Sequence, residues 1–117
     1  MSKQILGKWG ENIALEYLKI NNYNILETNK NYYQNGKKLA EIDIVATKDN
    51  ILYIMEVKTR SENIFGFAIE SLTPKKIETL KVVSQTYNTI NQKIRIQLIA
   101  IDKKKYNNYN LQIVDIF

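Results

Sequence analysis

Along residues 3 to 21 apolar side chains recur at spacings of three and four: Leu6, Trp9, Ile13, Tyr17 and Ile20, with Ala14 and Leu18 widening the stripe. That period predicts an amphipathic helix with one buried face, ended by Asn21-Asn22. Glu11 falls on the row Gly7, Glu11, Ala14, Leu18, at the edge of the buried face and not opposite it. Gly7 and Gly10 each cost about 1 kcal/mol of helix propensity against Ala, which suggests that another element, or a ligand, comes close. Tyr23 to Tyr33 predicts a first strand, and Gln34-Asn35-Gly36-Lys37-Lys38 a turn with a basic tip.

From Ala40 the period becomes that of a strand. Ala40 to Ala46 and Ile51 to Lys58 are both apolar and β-branched, each with charges in its middle, and Lys48-Asp49-Asn50 supplies the turn of a hairpin. Alternation puts Glu41 and Asp43 on one face of the first strand, and Glu56 and Lys58 on one face of the second. An even turn, such as Asp49-Asn50, sets Asp43 opposite Glu56 and Glu41 opposite Lys58. An odd turn sets Asp43 opposite Met55 and separates the charges, unless a bulge restores the register. In the even register two carboxylates and an ammonium share a sheet face. Their burial without partners is costly, and a divalent cation is the natural group to offset the carboxylates.

Thr59 to Asn63 predicts a polar loop leaving beside these charges, followed by Ile64 to Ala68, where Phe65 and Phe67 read either as core residues or as a flap over a ligand. Thr73-Pro74 opens a second helix as N-cap and first residue. Its stripe is Ile77, Leu80, Val83, Tyr87 and Ile90, and Lys76 lies on the same side. A cation facing inward at a helix start opposes the macrodipole, so Lys76 either meets an anion or snorkels past the core to water. Lys93 to Ile101 predicts a strand, with Ile94, Ile96, Leu98 and Ala100 on one face and Arg95, Gln97, Ile99 and Ile101 on the other. Asp102 to Asn110, with Lys103-Lys104-Lys105, reads as a solvated loop, and Leu111 to Phe117 as an edge strand. The order is α-β-β-β-α-β-β. It implies an α/β domain spanning residues 1–117, with a mixed sheet flanked by helices.

Composition narrows the chemistry. Seventeen Lys and Arg against twelve Asp and Glu leave +5, which suits a polyanionic partner such as nucleic acid and equally a generic basic surface. The absence of both His and Cys removes histidine bases, Ser-His-Asp triads, thiolate sites and the usual zinc sites. A metal would need oxygen ligands, which points to Mg²⁺ or Mn²⁺. No apolar run suggests a membrane span, and Ser2 to Gly10 is mixed and helical in pattern, unlike a signal peptide. The expected location is the cytoplasm.

An acid followed, across the hairpin, by Glu56-Val57-Lys58 resembles the signature of the PD-(D/E)xK nucleases, the fold of restriction endonucleases and archaeal Holliday-junction resolvases. The wider set is more specific: Gly7-x-x-Gly10-Glu11-x-x-Ala14-x-x-Tyr17-Leu18, Glu41 to Ala46, Glu56 to Arg60, Gly66, then Lys76 with Leu80 and Tyr87. In that order, over roughly residues 5 to 101, these blocks resemble the bacterial YraN-like family assigned to that superfamily. The resemblance implies a restriction-endonuclease-like fold. It makes Asp43 the first-motif acid, Glu56 the second, Lys58 the motif lysine and Glu11 the helix-borne glutamate beside the metal. The chain departs from the family pattern at Ala40, where Gly is usual, at Ser84, where Ala is usual, and at Arg95-Ile96-Gln97, where the family's acid has become Gln97.

The residues alone allow the same chemistry. Asp43 and Glu56 could hold Mg²⁺ or Mn²⁺, with the Met55 or Val57 carbonyl as an extra ligand and Glu11 acting through water or at a second metal. Lys58 would orient the attacking water or stabilise the scissile phosphate. Arg60, Lys75, Lys76, Lys37 and Lys38 flank the site and would meet substrate phosphates. The expected function is a metal-dependent endonuclease on DNA, branched or junction DNA included. The alternatives are a non-catalytic nucleic-acid-binding module or an assembly partner of DNA-processing proteins, and a purely structural reading has Glu41–Lys58 as a cross-strand ion pair with Asp43 and Glu56 solvated. A homodimer, as in the related resolvases, would suit a two-strand cut, although no residue pattern demands one.

Overall fold

In the computed structural model, residues 2–61, 67–87 and 92–116 are described. Helix α1 spans Lys3–Ile20. Strands β1 (Asn24–Gln34), β2 (Lys37–Lys48) and β3 (Ile51–Ser61) follow, then a 3₁₀ turn at Ala68–Ser71, α2 (Pro74–Ser84), β4 (Lys93–Lys103) and β5 (Tyr109–Asp115). The five strands form one sheet in the order β1-β2-β3-β4-β5. β3 and β4 are parallel and joined through α2, while the other neighbours are antiparallel. This is the mixed α/β sheet with the element order read from the sequence.

α1 and α2 cover different cores. Ala14 and Leu18 of α1 pack with Ile44, Ala46, Tyr53, Met55, Val57, Ile99 and Ile101. Leu80 and Val83 of α2 pack with Val45, Leu52, Ile54 and Ile96. Even-numbered positions of β3 therefore face α2, and odd-numbered ones face α1. Ser2 caps α1, its Oγ accepting the Ile5 N–H at 3.1 Å. Thr73 caps α2 in the same way, accepting from Lys76 N at 3.2 Å ahead of Pro74.

The β2–β3 turn is even. Asp49 and Asn50 both adopt positive φ, at 51° and 63°, the backbone of a tight two-residue hairpin. Lys48 then pairs with Ile51, and the ladder runs back to Ile44 opposite Met55. β3 extends further than the sequence pattern indicates. Thr59, Arg60 and Ser61, expected in a loop, pair with Ile101, Asp102 and Lys103 of the parallel neighbour β4, because a strand flanked on that side keeps its hydrogen bonds after its apolar pattern has ended. Phe67 is 63% exposed and is not a core residue; Phe65 and Ile90 lie outside the described residues.

The two helix glycines differ. A Cβ on Gly10 would fall 1.8 Å from Thr59 Oγ1, so α1 rests on β3 only because that side chain is missing. A Cβ on Gly7 would meet nothing within 4 Å.

Candidate functional site

β2 and β3 diverge just short of the expected pairs. Beyond Ile44–Met55 no ladder pair forms, and the side chain of Asp43 takes the place of a backbone partner. Its Oδ2 accepts the Val57 N–H at 2.8 Å. The core membership of β2 changes over at the same residue, since Ile44 packs in the α1-side core and Ile42 in the α2-side core. Asp43 stands where the alternation breaks, and its carboxylate lies within the field of Glu56.

Glu56 is buried, with 5% of its surface exposed. Its Oε2 has no hydrogen bond but lies 3.1 Å from Lys76 Nζ, close enough for an ion pair without the alignment of a hydrogen bond. Of the two readings of Lys76, an anion or escape to water, the first holds: at the start of α2 it meets Glu56. Lys58 and Arg60 follow on the same face of β3, both half-buried. Lys58 forms no ion pair with a described residue, and Arg60 sits in register with Asp102.

Burial, and then the Glu56 carboxylate, push the Asp43 carboxyl up to about 7, against the opposing pull of the Val57 N–H and Lys76. Glu11 is also raised, first by burial and then by Asp43 and Glu41, with Lys8 opposing. It therefore lies within the field of the site. It does not close a ligand set: among the described residues no three carboxylates come together closely enough to hold a metal ion. Asp43 and Glu56 alone fit a hard divalent cation. Both are oxygen donors, one is buried with an oxygen free of hydrogen bonds, and an ion that keeps most of its water needs only one or two carboxylates.

The Glu41–Lys58 ion pair of the purely structural reading does not form. Glu41 belongs to the stretch of β2 that pairs with β1, opposite Asn31, and its carboxylate lies 3.4 Å from Lys38 Nζ. Lys38 is thereby engaged locally, whereas Lys37 and Lys75 are exposed. Two further interactions were not legible in the sequence. Asp102 Oδ1 accepts the Ala68 N–H at 2.9 Å, tying the segment ahead of α2 to the end of β4. Asp115 of β5 sits opposite Gln97, taking its Nε2–H at 2.9 Å, with Arg95 Nη1 3.4 Å away. An acid thus returns, from the neighbouring strand, beside the position where the family's own acid is missing. The signal for both lies in strand pairing, which local pattern does not specify.

The family model described as Uncharacterised protein family UPF0102 matches residues 10–101. That segment runs from the glycine under α1 to the end of the buried stretch of β4, and holds Glu11, Asp43, Glu56, Lys58, Arg60, Lys75 and Lys76. The UPF0102 protein FP2501 of Flavobacterium psychrophilum is 42% identical over 103 residues, covering 86% of this chain and 82% of its own. The UPF0102 protein BHWA1_02005 of Brachyspira hyodysenteriae is 36% identical over 121 residues, covering 99% and 98%. A UPF0102 protein of Acetivibrio thermocellus is 35% identical over 108 residues, covering 89% and 80%. With one match over most of the chain and relatives along its whole length, the protein belongs to the UPF0102 family, the YraN-like proteins.

Proposed function

We propose that this protein is a metal-dependent endonuclease that hydrolyses phosphodiester bonds in DNA. The observation that carries the reading is the meeting of two carboxylates where β2 and β3 diverge. Asp43 is fixed there by the Val57 N–H, and Glu56 by Lys76. Strands that stay paired would fill this position with backbone hydrogen bonds. Where the pairing ends, hard oxygen donors stand beside a cation instead.

Asp43 and Glu56 would hold Mg²⁺ or Mn²⁺, with Glu11 reaching it through water. A divalent cation there supplies a nucleophilic water at neutral pH and stabilises the charge that builds on the phosphate. The chain's own residues do the rest. Lys58 orients the attacking water or neutralises the scissile phosphate. Lys76 balances Glu56 when no cation is present and turns to phosphate when one is. Arg60 and Lys75 extend the cationic face to neighbouring phosphates, Arg60 by its planar fork. Lys37 and Lys38 add charge at the β1–β2 tip. The retained lysine favours catalysis over simple binding, because binding has no need of Lys58 beside paired acids.

The test is cleavage of labelled duplex, flap, single-stranded and four-way-junction DNA by wild type and Glu56→Gln, with Mg²⁺, Mn²⁺, Ca²⁺ or chelator. Cutting by wild type with Mg²⁺ or Mn²⁺, lost in chelator and in Glu56→Gln, supports the reading. Ca²⁺ should support little turnover, being larger and looser in geometry. Equal cutting by both proteins, or none on any form, would leave a non-catalytic nucleic-acid-binding module as the better description.

A further inference from the structure

Tyr106 stands out on this molecule. It is 93% exposed, the most exposed large hydrophobic residue described, and it sits at positive φ, 58°, followed by Asn107 at 62°. A left-handed backbone disfavours a bulky aromatic residue, whereas Gly or Asn takes it readily. The turn itself is well made. Lys104 N–H donates to the Asn108 carbonyl at 2.6 Å, and Asn108 N–H to the Lys105 carbonyl at 3.1 Å. The ring buries almost nothing, so folding gives no reason for a tyrosine there.

The surroundings do. Lys103, Lys104 and Lys105 precede it in the chain, and Lys104 and Lys105 are exposed. Next to the turn, Tyr109 meets Trp9 of α1 edge to face at 5.8 Å between centroids, and Lys103 Nζ lies 5.8 Å from the centre of the Trp9 ring. Lys103 pairs in register with Ser61, so the turn lies at the end of the sheet toward which Glu56, Lys58 and Arg60 run. Along β3 the distance from Glu56 to Ser61 is roughly 17 Å at about 3.3 Å per residue, within the reach of one single-stranded arm. The turn falls outside the segment matched by the family model, which ends at residue 101.

We propose that the Lys103–Tyr109 turn is an anchoring site for single-stranded DNA, in which Tyr106 stacks on an unpaired base while Lys104 and Lys105 meet the adjoining phosphates. A protruding ring between cations suits a strand whose bases are splayed, and it has no stacking partner in an intact duplex. The proposal rests on the reading of the Asp43–Glu56 site as one that acts on DNA, and it narrows the substrate to DNA with a single-stranded arm.

The experiment is fluorescence anisotropy with a labelled twelve-nucleotide oligothymidine and a labelled duplex, in chelator at low salt. The proteins are wild type, Tyr106→Ala, Tyr106→Phe and Tyr106→Asn. Stacking is lost in the Ala and Asn variants, so both should bind the single strand about tenfold more weakly or worse. Tyr106→Phe should stay within about twofold of wild type, and duplex affinity should be unchanged in all three variants. Tyr106→Asn should melt no lower than wild type, since Asn suits the backbone better, which separates lost stacking from lost folding. Single-strand affinity unchanged in Tyr106→Ala overturns the anchoring site and leaves the proposed nuclease standing. Equal losses on both DNAs overturn it too, as does flotation with anionic vesicles that depends on Tyr106 while DNA binding does not. If wild type binds neither DNA, the anchoring site and the reading of the carboxylate site fall together.

Discussion

Asp43 Oδ2 accepts the Val57 N–H at 2.8 Å, at the step where β2 and β3 cease to pair. A side chain thus completes a sheet edge, and the carboxylate that does so is pressed against a second one. In the metal-free protein this has a definite pH signature. Burial and Glu56 raise the folded-state Asp43 carboxyl to about 7 from the ordinary value of 3.8. Between those two values the folded chain holds a proton that the unfolded chain has released. Stability therefore falls as pH rises from about 4 to about 7, and levels off above. A shift of this size corresponds to a loss on the order of 2–4 kcal/mol. Asp43→Asn keeps an oxygen for Val57 and cannot titrate, so urea unfolding in chelator at pH 5 and pH 8 should show a markedly smaller loss for the variant. Equal slopes for the two proteins would mean that Asp43 is ordinary.

The Glu56–Lys76 pair makes a second prediction. Glu56 is almost fully inside and Lys76 partly so, with side chains 6% and 29% exposed. Removing the cation leaves a buried carboxylate unbalanced, so Lys76→Ala should cost about 2 kcal/mol or more in chelator. Glu56→Gln relieves the same charge, and Lys76→Ala made in that background should cost much less. A double-mutant cycle measures the difference as a coupling energy of at least about 1 kcal/mol. Additive losses would make the ion pair incidental.

Much of this site is legible in the sequence, because its residues sit on elements with strong local signals. Lys48-Asp49-Asn50 marks the turn but leaves its parity open; the positive φ of Asp49 and Asn50 makes it even, and the even turn sets the register that brings Asp43 to Glu56. Lys76 follows Thr73-Pro74, whose capping chemistry sets the helix phase and points the lysine inward. What stays hidden depends on partners distant in sequence. Nothing near Asp43 says that β2 leaves β3 a residue early, which is why the pattern sets Glu41 opposite Lys58 although it meets Lys38 instead. Thr59 to Ser61 read as loop because their polarity hides a parallel partner, β4, more than thirty residues away. Asp102 holding Ala68 and Asp115 meeting Gln97 are likewise products of strand pairing.

The glycines of α1 are predicted to respond with opposite signs. Gly10→Ala drives a Cβ into Thr59 and must push α1 off β3 or turn that side chain. It should destabilise by about 2 kcal/mol, the usual scale for overpacking. Gly7→Ala meets open space and should stabilise by roughly 0.5–1 kcal/mol through helix propensity and a less flexible unfolded chain. Chemical denaturation of both variants checks the pair. A Gly10→Ala protein as stable as wild type would show that α1 is not seated on Thr59.

Lys58 and the outer cations should separate by what their loss changes. Lys58 is half-buried, two residues along β3 from Glu56 and on the same face by alternation, yet it bonds ionically to no described residue, and Arg60 follows on that face. Removing it breaks no ion pair with a described residue. Lys58→Ala should therefore unfold within about 1 kcal/mol of wild type in chelator. If it acts on the attacking water or the scissile phosphate, its loss should lower the cleavage rate at saturating DNA by at least about a hundredfold, with little change in affinity. Lys37→Ala and Lys75→Ala should behave in the reverse way. Both are exposed, so affinity should fall while the saturated rate is kept, and the log–log dependence of duplex binding on salt should flatten by about 0.9 for each phosphate no longer neutralised. Titrations at several salt concentrations, paired with single-turnover rates, distinguish the two classes. A Lys58→Ala protein that loses affinity but cuts at the normal saturated rate would move Lys58 to the binding rim. One that unfolds more than about 2 kcal/mol more easily would make it a structural residue.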